Sequence, residues 1–384
     1  MRSLGIVAVS CLLVAAACSD DASSTDPGSS GGASSSGASG ASGSSGSSGS
    51  SGASSGSSGG SSGSGGPCAQ VQCGANAKCL DATGKCMCNP GFVSDGTGAC
   101  VAAPAGDPST HTQAEVCTHW KQGHVQTSAT PWTAGAAQCD PGTLAPAAIT
   151  DTLTRLALYR WMEGLAPVSD APAQSVNDMA CAAVASWNPP GTVPNPHAPP
   201  PSAKCYTAVG AQGAGTSNIA WGSGHPANAI DQFMEDRGND TTFGHRRWIM
   251  NPPLGVVGIG YYAGGGTYGN AQCLGVFDQS GRGTAPEWLS FPPPGFSPTS
   301  VVGWTWTFHA KASTANAQMT VKRMSDGANL AMTKLTLQQG YGSYSTQAFR
   351  QSGWTPKDGE VYLVSVSGVA AQPITYEVKP VTCP

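Results

Sequence analysis

Gly244-His245-Arg246-Arg247-Trp248-Ile249-Met250-Asn251-Pro252-Pro253 is the stretch on which the reading of this chain turns. An imidazole and two guanidiniums precede an apolar turn, and two prolines, which cannot continue a helix, end it. A strand punctuated by glycine follows, Val256-Val257-Gly258-Ile259-Gly260-Tyr261-Tyr262. Upstream, Ser217-Asn218-Ile219-Ala220-Trp221-Gly222 reads as a turn. A helix is expected over 226–237, because proline is tolerated at a first helical position and Ile230, Phe233 and Met234 form one apolar stripe. Glu235 and Asp236 fall at its C-terminal end, where carboxylates oppose the helix dipole; either a partner elsewhere holds them or they are solvated surface acids.

This ordered series resembles the CAP superfamily (cysteine-rich secretory proteins, antigen 5 and pathogenesis-related proteins) in its bacterial secreted form. Members carry an Asn-Ile/Leu-Ala-x-Gly turn, a helix, a Gly-His motif, then Asn-Pro and a Val-Gly-x-Gly strand. The resemblance implies a multidomain α+β chain whose head, residues 111–288, is an α-β-α three-layer sandwich. It also implies a cleft, where many members gather two histidines and two acids. His197, in Asn195-Pro196-His197, and His245 match the histidines, and Glu235 or Asp236 matches the helix carboxylate. The other acid normally precedes the asparagine of the turn; Ser217 stands there, before Asn218. An open zinc site takes three protein ligands, which His197, His245 and Glu235 would supply, so a divalent metal is one expectation and a metal-free cleft the other. Taken singly, His245 bonded to backbone beside Trp248 and His197 exposed in its loop are the plainer readings. Arg246 and Arg247 anchor a carboxylate or form a solvated pair.

The expected function is ligand binding in the cleft without catalysis. Members that bind sterols or fatty acids imply a lipid or hydrophobic small molecule, with a cell-surface protein, polysaccharide or envelope component as other partners. The alternative is a secreted protease or esterase, with Ser217, His245 and Glu235 as nucleophile, base and orienter. No Gly-x-Ser-x-Gly elbow accompanies that drawing. His119, His124, His225 and His309 belong to no motif.

Helices are expected over 143–165, where Leu144, Ile149, Leu153, Leu156, Tyr159 and Met162 keep helical spacing, and over 171–187. Leu158-Tyr159-Arg160 resembles the family's first helix, with Ala157 where members often carry asparagine. The proline-dense 189–201 is irregular, and strands are expected at 256–262 and 272–278.

The N-terminal part of the chain reads differently. Arg2 and the apolar run after it make residues 1–17 a secretory signal, and Ala15-Ala16-Ala17-Cys18 is similar to a lipobox. The expectation is a chain lipidated at Cys18 and anchored to the bacterial envelope, at the outer membrane. Residues 18–67 are Ser, Gly and Ala in the main, a composition that cannot offset its ordering entropy, so a flexible leash averaging roughly 40 Å is expected. A net charge of −4 without a basic cluster excludes nucleic acid as a partner. Setting aside Cys11 and Cys18, twelve of the fourteen cysteines remain, an even number that points to disulfides and an oxidising compartment.

Six of them, Cys68, Cys73, Cys79, Cys86, Cys88 and Cys100, follow C-x4-C-x5-C-x6-C-x-C-x11-C, with Asn89-Pro90-Gly91-Phe92 after the fifth. Spacing alone leaves fifteen pairings open. The pattern resembles an EGF-like module, which implies Cys68–Cys79, Cys73–Cys86 and Cys88–Cys100. For the rest, proximity favours Cys117–Cys139 and Cys181–Cys205, leaving Cys273–Cys383. Beyond the prolines at 292–294, period-two alternation marks strands at 304–308, 319–323, 330–337, 361–366 and 374–378, with Asp326-Gly327 and Asp358-Gly359 as turns. Residues 291–384 are thus expected to be a small β-sandwich, its aromatics packing a core more readily than forming a carbohydrate platform.

Overall fold

The computed structural model describes residues 68–75, 77–80, 85–88, 92–94, 99–102, 106–281, 283 and 285–384. The expected signal, the Cys18 lipid and the 18–67 leash lie outside the described residues. Two hairpins, Ala77–Leu80 (β1) with Lys85–Cys88 (β2) and Phe92–Ser94 (β3) with Cys100–Ala102 (β4), carry the cysteine-rich segment. Cys68–Cys79 and Cys73–Cys86 are bridged, and Cys100 is disulfide-bonded. The side chain of Cys88, its expected partner, lies outside the described residues.

Helix Gln113–Gly123 (α1) opens on a capping box, in which Thr112 and Glu115 exchange side chain-to-amide bonds of 3.2 and 2.8 Å. A short hairpin, Trp132–Thr133 (β5) and Thr143–Leu144 (β6), leads into Pro146–Met162 (α2). Then come Ser169–Asp170 (β7), Pro172–Trp187 (α3), Ala208–Thr216 (α4), Ser217–Trp221 (β8), Pro226–Glu235 (α5), Gly244–Ile249 (α6), Val256–Gly265 (β9) and Gly269–Gly275 (β10). Neither helix nor strand interrupts 189–201.

These strands form one sheet in the order β7-β9-β10-β8. Because successive strand residues face opposite ways, each strand serves two cores. Ile219, Tyr262, Ala271 and Cys273 meet Cys181, Ala182 and Ala185 of α3 on one side. Val257, Ile259 and Leu274 meet Leu156 and Tyr159 of α2, Ile230 and Phe233 of α5 and Ile249 of α6 on the other. Glycine lets α3 come very close: a Cβ at Gly258 or Gly260 would fall inside the Asp178 side chain or backbone, and one at Gly275 inside Gln174.

Ser217–Trp221, expected as a turn, is the sheet's edge strand, paired with β10 from Ser217↔Gly275 to Trp221↔Ala271. Consequently Ser217 and Asn218, neighbours in sequence, point to opposite faces. The strand expected over 272–278 stops at Gly275, because Asp278 turns back and its Oδ2 accepts the amides of Gly255 and Val256 at 2.9 and 3.0 Å.

All three remaining expected bridges are corrected: the cysteines pair as Cys117–Cys383, Cys139–Cys205 and Cys181–Cys273. A bridge needs Cα atoms within about 7 Å in space, and chain proximity does not deliver that here. Cys181 looks from α3 onto the sheet and finds Cys273, at a sequence separation of 92. These bridges fit an oxidising environment. No helix among the described residues is long and apolar enough to cross a membrane.

The C-terminal part is two facing sheets. Trp288–Phe291 (β11), Trp306–Ala310 (β13), Ser345–Gln351 (β17) and Met332–Leu335 (β16) make one, in that order. Gly295–Pro298 (β12), Ile374–Val381 (β19), Tyr362–Ser367 (β18), Gln318–Arg323 (β14) and Asn329–Leu330 (β15) make the other, and a short helix, Thr299–Val302 (α7), follows β12. Trp306, Phe308, Phe349, Val321, Val364 and Val378 fill the space between them. The expected single strand over 330–337 is two pieces, because the chain passes from one sheet to the other at Ala331.

Candidate functional site

The site is organised by α6. Asp236, the C-cap of α5, adopts a left-handed conformation (φ 54°), and Phe243, before α6, does the same (φ 46°). This tight return brings the Asp236 carboxylate to α6, where Oδ1 lies 2.8 Å from His245 Nδ1 and Oδ2 accepts the Arg246 amide at 3.2 Å. The Asp236 side chain is 1% exposed and that of His245 26%. A carboxylate on Nδ1 holds that nitrogen's proton and leaves Nε2 as the ring's acceptor. The Phe233 ring, 5.2 Å away, backs the imidazole, and Asn218 Nδ2 donates to the His245 carbonyl at 3.0 Å.

Along α6, His245 and Trp248 stay half-buried while Arg246 and Arg247 are 0% and 2% exposed. The arginines are not solvated, and the partners they donate to are carbonyls, a hydroxyl and an amide oxygen instead of a carboxylate. Arg246 donates to Met234 O (2.6 Å), Glu235 O (3.1 Å), Thr305 O (2.6 Å) and Thr307 Oγ1 (3.3 Å). Arg247 donates to Thr242 O (3.1 Å), Gln338 O (2.8 Å) and Gln339 Oε1 (3.3 Å). Both therefore fasten the head to the C-terminal sheets. Arg160 of α2 does the same for the turn after α6, donating to Ile249 O, Asn251 O and Leu254 O at 2.7, 3.0 and 3.1 Å. Burial draws all three guanidiniums down to about 10, so they remain charged at neutral pH.

The side chains of the other expected site residues have other partners. Glu235 turns to Arg237, its Oε1 2.6 Å from Nη2, so Asp236 and not Glu235 is the partner of His245. His197 Nδ1 lies 2.9 Å from the Ala214 carbonyl at the end of α4. Ser217 Oγ, on the α3 face, lies 2.6 Å from both Asp178 Oδ1 and Gly213 O. A catalytic row of Ser217, His245 and Glu235 is thereby overturned, since the hydroxyl and the imidazole occupy opposite sides of the sheet. Among the described residues, no three or more His, Cys, Asp or Glu side chains stand together as a metal-holding group. Behind the dyad, at the joint with the C-terminal sheets, lies a cavity of about 380 Å³ lined by Asp236, Asp240, Phe243, Trp304 and Arg350.

Asp178 gave no signal beyond the glycines opposite it, which mark a strand that something approaches closely. Burial pushes its carboxyl up to about 7, against the Ser217 hydrogen bond. Geometry agrees: one Ser217 proton cannot serve two acceptors at 2.6 Å, and a protonated Asp178 supplies the second. A folded-state pKa above the unfolded one, about 4, makes the contribution complete at low pH and lost as pH rises through about 7. Urea unfolding of wild type should weaken by up to about 1.4 kcal/mol per pH unit across that window relative to Asp178→Asn. Parallel pH profiles for the two proteins would refute the assignment.

No protein-family model, no curated protein and no solved structure matches this chain.

Proposed function

We propose that this chain is an extracellular protein, tethered through a lipidated Cys18, a leash over 18–67 and an EGF-like stalk over 68–100. In this reading a CAP-like α-β-α head, followed by a β-sandwich, binds a ligand at the Asp236–His245 dyad without turning it over. The ligand is a lipid or hydrophobic small molecule, or a component of the cell envelope. One observation carries it: an imidazole, 26% exposed, whose Nδ1 is held by a buried carboxylate, which leaves Nε2 for a ligand. Such a nitrogen accepts a hydrogen bond from a ligand hydroxyl or amide. The Ser217 hydroxyl, engaged by Asp178 and Gly213, offers it no nucleophile. The layering of the Gly258-Ile259-Gly260 strand against α3, with α2, α5 and α6 opposite, supports the CAP-like part.

The same dyad favours one second reading, a hydrolase in which His245 draws a proton from water. A single experiment separates them. Purified chain is titrated with a fluorescent fatty acid and with solubilised envelope extract, and is incubated with peptide and ester libraries, each beside His245→Ala. Binding weakened about twofold to tenfold by the variant, the net worth of one hydrogen bond, with no turnover by either protein, is expected. Turnover present in wild type and absent from the variant would replace the binding reading by the hydrolase.

A further inference from the structure

We infer that the outward side of α6 is a subsite for a neutral oligosaccharide, formed by the rings of Tyr341, Trp248 and Phe277 beside His245. This rests on the dyad as a ligand site and names the ligand's class. On a helix, residues three and four apart are neighbours, so Gly244, His245 and Trp248 share one strip. Phe277, just past β10 and 49% exposed, packs tilted against Trp248, with ring centroids 4.5 Å apart and planes at 33°. Tyr341 arrives at the other end of the strip from the C-terminal sheets. Its ring lies over Gly244, where a Cβ would stand 2.7 Å from Cδ1, so the glycine of the Gly-His pair is what admits it.

The loop that carries Tyr341 is fixed on both sides of it. Arg247 donates to Gln338 O at 2.8 Å, Gln338 donates its amide to Thr241 O at 2.9 Å, and Ser343 donates its amide to Asn251 Oδ1 at 2.9 Å. A ring held this way loses little freedom when a ligand settles on it.

Charge selects the class. Arg246 points inward onto carbonyls, Arg247 is buried on the Thr242 and Gln338 carbonyls with its guanidinium 5.3 Å from the Tyr341 ring centroid, and the buried Asp236 is held by His245. Asp278, beside Phe277, is tied through Oδ2 to the Gly255 and Val256 amides. The strip thus offers solvent the Phe277 ring, parts of the Trp248 and Tyr341 rings and part of the His245 imidazole. A pyranose matches that surface, with C–H bonds on one face and hydroxyls around its rim to donate to Nε2. An acyl chain fits less well, because an open shelf leaves half of it in water. Rings in a row suit several linked sugar units.

The test titrates the full chain with cellohexaose and with hexa-N-acetylchitohexaose, followed by tryptophan fluorescence and calorimetry. Trp248→Ala, Phe277→Ala and Tyr341→Ala are compared with wild type, and Tyr268→Ala, a ring 54% exposed in the β9–β10 turn, serves as control. One of the glycans should bind, with a loss of about tenfold for each shelf ring and none for the control. Phe277→Ala removes a solvent-facing ring and keeps the test open if Trp248→Ala unfolds. Absence of binding by either glycan at millimolar concentration, or equal binding by all variants, overturns the subsite. So does preferential uptake of oleate or of an aromatic peptide by the same rings, or a dimer that Phe277→Ala dissolves. Glycan binding that needs the rings but survives His245→Gln keeps the shelf and removes the dyad reading. Binding that needs His245 alone removes the shelf.

Discussion

Arg246→Met is expected to lower the unfolding free energy by roughly 3–5 kcal/mol, read as a shift of the urea midpoint at unchanged slope. Methionine keeps much of the length and apolar stem but has no donors. Four acceptors then lose their partner: Met234 O and Glu235 O of α5, Thr305 O before β13, and Thr307 Oγ1 within it. A buried acceptor left without a donor costs about 1–3 kcal/mol, and relaxation recovers part of the total. Carboxyls nearby, Glu235 among them, also lose a neighbouring cation. Asp236 is another, and Glu163, whose carboxyl burial raises well above the ordinary range, is a third. Lysine should not rescue the site, since one ammonium cannot reproduce a planar fork directed at both sides of a joint. A loss below about 1 kcal/mol would mean that these bonds are replaced by water and that the joint is held otherwise.

Gly260→Ala is the second large effect, about 3 kcal/mol or more from a single methyl. The added carbon would overlap the Asp178 carbonyl, main chain in mid-helix and not the movable end of a side chain. Helix α3 cannot lift away, because Cys181 is bridged to Cys273 on the neighbouring strand. Gly224→Ala provides the comparison: nothing stands within 4 Å of its Cβ, so it should stay within about 0.5 kcal/mol of wild type. Equal melting temperatures for the two variants would contradict the close approach of α3.

Particular residues show what could be read beforehand. The α2, α3 and α5 helices and the β9 strand follow from apolar spacing, because each buries one continuous stripe. β17 gave no such sign: Ser345-Thr346-Gln347 is polar, yet it sits inside its sheet. There Thr346 Oγ1 meets His309 Nδ1 at 3.0 Å, and Gln347 donates to Leu335 O. Those partners are distant in sequence and invisible to local pattern. The capping box at Thr112 and Glu115 was a local signal for α1 that apolar spacing alone passes over. At the site, the Gly-His motif led to His245, and the acids at the end of α5 were two candidates. Only the left-handed turn at Asp236 selects between them, a choice of backbone angle that adjacent acids do not encode. Tyr341 was out of reach, since its place depends on how a loop of the C-terminal sheets docks on the head.

The link between Cys117 and Cys383 has a consequence for a body exposed to proteases. It closes residues 117–383 into a covalent ring joined at α1. A single nick anywhere between those two cysteines opens the ring without releasing a fragment. Proteolytic release of residues 117–383 from the cysteine-rich segment before them therefore needs a cut on the N-terminal side of Cys117.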